Sequence, residues 1–163
     1  MLRETDQQIR DYNIGPISHA IASVGVGSWA QAVTVHYKCA SSPAFVVSTE
    51  PDSAACLLAS LRSGKITPIA TGKSIMDGMN CGTVSHIAWD ILRQGVDASL
   101  MVKDVEVHHD LQYLHSLGIN IGPCGAAPLT ALRRLVGEKK LGLGPDSAVV
   151  LFSTEGARNY PAP

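Results

Sequence analysis

Short apolar runs alternate along the chain with stretches whose apolar residues recur at helical spacing. Ile17–Val24 is a mostly apolar run that stops at Gly25, and after Gly25-Val26-Gly27-Ser28 the residues Trp29, Ala32, Val33, His36 and Tyr37 share a helical face over Trp29–Cys39. Ala44–Thr49 is β-branched and aromatic, ends at Glu50-Pro51, and is followed by a turn at Pro51 and Asp52. The pattern predicts a helix over Ser53–Arg62, with Cys56, Leu57, Leu58 and Leu61 on its inner face and Gly64 as its stop.

Residues 64–83 break this rhythm. Gly64, Pro68, Gly72, Gly78 and Gly82 interrupt any long element, which predicts a long excursion with one short helix near Ser74–Gly78. Beyond it come a helix over Ser85–Arg93, a strand over Ala98–Val102, and a helix from Asp104 to about Leu117, stopped by Gly118. Ile119–Gly122 reads as short and extended, Cys124–Val136 as a helix, Ala148–Phe152 as a buried strand, and the tail after Gly156 as extended. Strands alternating with helices predict an α/β fold: a mostly parallel sheet flanked by helices in three layers. Ligands of such sheets sit beyond the carboxyl ends of the strands. The loops Gly25–Ser28, Thr49-Glu50 and Ser153–Gly156 leave those ends.

Composition bounds the rest. The 163 residues are 45% hydrophobic and carry a formal net charge of -1, which suits one compact domain and argues against binding driven by nucleic-acid or membrane charge. No apolar run approaches the roughly 18 residues of a membrane span, and the charged start lacks a signal-peptide core, so a cytoplasmic protein is expected. Cys39, Cys56, Cys81 and Cys124 have no metal-binding spacing and read as reduced thiols. His108-His109 lacks a third ligand at useful spacing, so no metal site is expected.

Three segments carry candidate chemistry. Gly25-Val26-Gly27-Ser28, between a strand and a helix, has the make-up of an anion cup: small residues admit close backbone approach, and helix-start N–H groups lack partners. It is neither GxGxxG nor a P-loop, and a tight turn without a ligand fits it as well. Ser153-Thr154-Glu155-Gly156 places hydroxyls at the end of the last strand, either for a heterocycle or simply to close a turn. Ser74–Gly82 is a glycine-punctuated loop, readable as a pocket wall or as an excursion plugged by Ile75, Met76 and Met79.

Taken in order, Gly25–Val33, Val47–Pro51, Ala54–Leu61, Ile75–Gly82 and Ser153–Gly156 resemble the carboxyl-terminal part of diaminopropionate ammonia-lyase, a pyridoxal-phosphate enzyme of the tryptophan-synthase-β fold (fold type II). The resemblance spans about residues 5–158. It implies pyridoxal 5'-phosphate as cofactor, with Gly25, Val26, Gly27 and Ser28 around its phosphate, Ser153 and Thr154 facing its pyridine nitrogen, and Asp77, Asn80, Cys81 and Gly82 in a bordering loop. Two places depart from the pattern: Asp77 stands where the family more often has a small residue, and Ala157-Arg158-Asn159 replaces an acidic stretch.

The Schiff-base lysine of this fold belongs to the amino-terminal half, and Lys38, Lys65, Lys73, Lys103, Lys139 and Lys140 lie in no matching context. The expectation is therefore a truncated or split lyase-like domain, inactive alone, that takes a small phosphate-bearing ligand and pairs with a second copy or a companion chain. Two alternatives remain open at this point. One is a domain repurposed for ligand or partner binding. The other is a catalyst without the Schiff base, using Asp77, His36, His86 or Cys81.

Overall fold

The computed structural model describes residues 1–163. Four strands, β1 (His19–Ser23), β2 (Phe45–Pro51), β3 (Ala98–Val102) and β4 (Val149–Leu151), form one sheet in the order β3-β2-β1-β4. Every pairing is parallel; His19 opposes both Phe45 and Val149, and Val47 opposes Ala98. The helices are α1 (Leu2–Asp11), α2 (Ser28–Lys38), α3 (Cys56–Ser63), α4 (His86–Gly95), α5 (Asp104–Ser116) and α6 (Pro123–Gly137).

Alternation along the strands divides the core between the two faces of the sheet. Ala20, Ala22, Val24 and Val46 point into a cluster with Val33, Tyr37, Leu57, Ala88 and Leu92, from α2, α3 and α4. Ile21, Val47 and Val102 point the other way, onto Val107 and Leu111 of α5 and Ala126, Ala127, Ala131 and Leu135 of α6. The result is a three-layer α/β/α sandwich. No helix is long and apolar enough to cross a membrane.

Several elements differ from the sequence expectation. Helix α1 has no counterpart in it, because Leu2 and Ile9 are its only apolar residues and none of its residues is fully buried. The helix expected over Ser53–Arg62 is two pieces, a 3-10 turn at Asp52–Ala54 and then α3, broken at Ala55 (φ -89°, ψ 62°). The short helix of the excursion is a 3-10 turn at Asp77–Met79, a few residues later than expected, because buried Ile75 and Met76 are drawn into the core as irregular chain. Ile119–Gly122 makes a single antiparallel bridge, Ile121 to Gly156, and no strand.

Glu50, at the carboxyl end of β2, supplies the cap that α3 lacks locally. It is fully buried, and its two carboxylate oxygens accept from the Leu57 and Leu58 N–H groups at 2.7 and 2.9 Å. Burial outweighs those bonds and pushes its carboxyl up to about 7.

Candidate cofactor-phosphate site

Because β1 and β4 are parallel neighbours, the loops leaving their carboxyl ends lie side by side. Between them opens a cavity of about 340 Å³ lined by Ser23, Gly25–Trp29, Gly78, Met79, Cys124, Thr154 and Glu155.

The Gly25–Ser28 loop is built to leave its N–H groups free. Helix α2 starts after Gly27, which sits in the left-handed region (φ 99°), and no side chain caps it. The loop carbonyls are already engaged: Gly25 by the Cys56 thiol at 3.6 Å, Val26 by the Ser85 N–H at 2.8 Å, and Gly27 by the Gln31 N–H at 2.8 Å. What remains is a turn of unpaired donors at the positive end of a helix dipole. Gly25 is required by close approach to backbone, and Gly27 by its left-handed φ. A Cβ at Gly25 would lie 2.8 Å from the Gly78 carbonyl oxygen and 3.2 Å from Cys81 Sγ, and one at Gly27 would lie 2.7 Å from Leu92 Cδ1. The indole N–H of Trp29 is buried without a partner.

The opposite wall is the start of α6. Pro128 has no N–H to return to the Cys124 carbonyl, and that carbonyl instead accepts the Ser23 hydroxyl at 2.8 Å, tying α6 to the end of β1. The Cys124 N–H donates to Glu155 at 2.6 Å, so a carboxylate from the tail caps the helix from a distance. Burial first, and then the Glu155 charge, push the Cys124 thiol up to about 11.

Of the residues singled out from sequence, the structure brings Gly25, Val26, Gly27, Ser28 and Thr154 together on this cavity. Ser153 is exposed and does not line it. Cys81 lies behind Gly25, and Gly82 packs its backbone on Ile69, accepting the Ile69 N–H at 2.8 Å. Asp77 and Asn80 line a separate hollow with Lys73 and Tyr160, and Asn80 donates to the Gly72 carbonyl at 2.9 Å. His36 pairs with Asp6 at 2.9 Å, and exposed His86 begins α4, so neither joins Asp77 or Cys81 in an acid–base pair.

All four cysteines are free thiols. No lysine lines the cavity; Lys38 pairs with Asp97 and the other five are exposed. Sequence reasoning missed Ser23, Cys124 and Glu155 as lining residues. The missing proline N–H at position 128 was the one local signal of a freed carbonyl.

A family model for pyridoxal-phosphate dependent enzymes matches residues 1–155. The chain belongs to that family. Among its pyridoxal-phosphate relatives, the curated diaminopropionate ammonia-lyase of Escherichia coli K12 is 29% identical over 168 residues, covering 94% of this chain and 42% of that protein. The crystal structure of diaminopropionate ammonia-lyase from Escherichia coli with D-serine superimposes with a TM-score of 0.82 at 26% identity, over 95% of this chain and 42% of that one. The threonine deaminase of T.th. shares the fold, with a TM-score of 0.84 at 24% identity over 98% of this chain and 52% of that one. The chain thus spans less than half the length of the curated lyase it matches.

Proposed function

We propose that these 163 residues form the phosphate end of a pyridoxal 5'-phosphate site of the diaminopropionate ammonia-lyase type, a partial fold type II domain that does not itself carry the covalent lysine. The observation that carries this reading is the uncapped start of α2, with its loop carbonyls spent on protein donors, in a cavity that no lysine reaches. Gly25, Val26, Gly27 and Ser28 would hold the phosphate through backbone N–H groups and the Ser28 hydroxyl. Thr154, beside Ser153, would meet the ring nitrogen with a neutral hydroxyl, and Gly78 and Met79, backed by Asp77, Asn80, Cys81 and Gly82, would wall the ring. When bound, the cofactor supplies an electron sink for charge developing on a substrate carbon. This chain's own contribution is to anchor and orient it.

Adding pyridoxal phosphate to the purified chain carrying Trp89→Phe, which leaves Trp29 as its one tryptophan, is expected to quench Trp29 fluorescence saturably, with no pyruvate released from 2,3-diaminopropionate. Borohydride treatment followed by peptide mass mapping is expected to find only sparse pyridoxyl labelling scattered over the exposed lysines, with no one site filled stoichiometrically. Robust pyruvate release, or stoichiometric pyridoxyl labelling of one named lysine, sinks the reading.

A companion surface is favoured by β4. It is an edge strand, and its apolar residues Val149, Val150 and Leu151 are only partly buried. A second copy or a companion chain would cover that edge. Light scattering is expected to show a dimer or larger species; a clean monomer that stays soluble at high concentration argues against a self-paired edge.

A further inference from the structure

Arg158 ties the walls of the cavity together without lining it. Its Nε donates to Glu155 Oε1 at 2.8 Å, one terminal nitrogen lies 3.2 Å from Asp77 Oδ2, and the other donates to the Ile75 carbonyl. The remaining Glu155 oxygen accepts the Cys124 N–H. One guanidinium therefore joins the tail after β4, the Ile75–Met79 wall and, through Glu155, the start of α6. Asp77 and Arg158 meet as an ion pair.

The consequence is electrostatic. Glu155 lines the same cavity as the Gly25–Ser28 cup, and no lysine or arginine does. A space of that volume is about 9 Å across, and at an effective dielectric of about 20 an unpaired carboxylate that near would weaken binding of an anion about tenfold or more. Glu155 and Arg158 are only 20% and 28% exposed, so water and salt screen their pairing less than they would a surface pair.

We propose that Arg158 is a positioning residue for a phosphate monoester in the Gly25–Ser28 cup, acting by cancelling the Glu155 charge. This rests on the phosphate reading above. The test titrates the full chain with pyridoxal phosphate, inorganic phosphate and unphosphorylated pyridoxal, followed by Trp29 fluorescence. Arg158→Gln is expected to weaken both phosphate probes about tenfold and leave pyridoxal unmoved. Arg158→Lys, which keeps the charge, stays near wild type. Glu155→Gln, which leaves Arg158 unopposed, tightens phosphate binding, and Arg158→Gln combined with Glu155→Gln restores it.

An Arg158→Gln chain that binds phosphate like wild type overturns the proposal. So does a double variant as weak as the single one, since Arg158 would then be a structural latch only. Should Arg158→Gln fail to fold by circular dichroism, the Glu155→Gln result decides: weaker phosphate binding there refutes charge cancellation. Wild-type chain that binds neither phosphate probe refutes the phosphate reading itself, and this inference with it.

Discussion

Gly25→Val is expected to abolish saturable binding of pyridoxal phosphate, a loss of roughly a hundredfold or more if two charge-assisted N–H contacts go. The cause is steric and lies in backbone. The new Cβ would sit 2.8 Å from the Gly78 carbonyl oxygen and 3.4 Å from Met79 Cα, neither of which can rotate away as a side-chain tip could. The loop must swing off the 78–79 wall, carrying its N–H groups out of register with any anion. Overpacking of this kind also costs about 1–3 kcal/mol of stability, so the thermal midpoint falls as well. Gly15→Ala is the matched control, because a Cβ there meets nothing within 4 Å. Trp29 fluorescence titrations of both variants provide the check. A Gly25→Val chain with wild-type affinity would show that the cup is not where the phosphate sits.

The second large effect belongs to Glu50. Its carboxyl rises from 4.5 to about 7 in the folded chain because burial opposes its charge more than the Leu57 and Leu58 N–H groups favour it. A raised folded value means the native state holds the proton more tightly than the unfolded chain does. The stabilisation is therefore fully present below about pH 4.5 and is lost as pH rises through about 7, amounting to about 3 kcal/mol at roughly 1.4 kcal/mol per pH unit. Glu50→Gln keeps the shape but cannot titrate, so this component of the pH dependence should vanish. Urea denaturation at pH 5 and pH 8 measures it: wild type is expected to lose stability between the two, and the Gln variant to lose markedly less. Identical slopes in both proteins would refute the assignment. Glu50→Ala, which strips both acceptors from buried N–H groups, should cost about 2–5 kcal/mol at pH 5 and less at pH 8, where the wild-type carboxylate is already penalised by burial.

The parts of this protein readable from local pattern are those whose burial repeats along the chain. The strand Ala98–Val102 and the turn from β1 into α2 were legible because period and glycine placement are local properties. Helix α1 was invisible for the same reason: its buried side rests on Leu2 and Ile9 alone, too few apolar residues to set a period. The break at Ala55 was equally hidden, since the acceptor that starts α3 comes from Glu50 and the surrounding residues suit one continuous helix.

For the candidate site, the sequence by itself determined the donor loop: small residues, a helix start and a φ only glycine adopts comfortably at position 27. Tertiary structure alone decided what faces that loop. Placing β4 beside β1 brings Thr154 and Glu155 to the cup, and the tail then sets Arg158 against Asp77, a pairing between residues far apart in the chain. Spacing rules reach only as far as one helix turn or one strand repeat. Which strands become neighbours is chosen by the packing of both faces of the sheet at once, and that choice made a carboxylate, not only a hydroxyl, part of the wall.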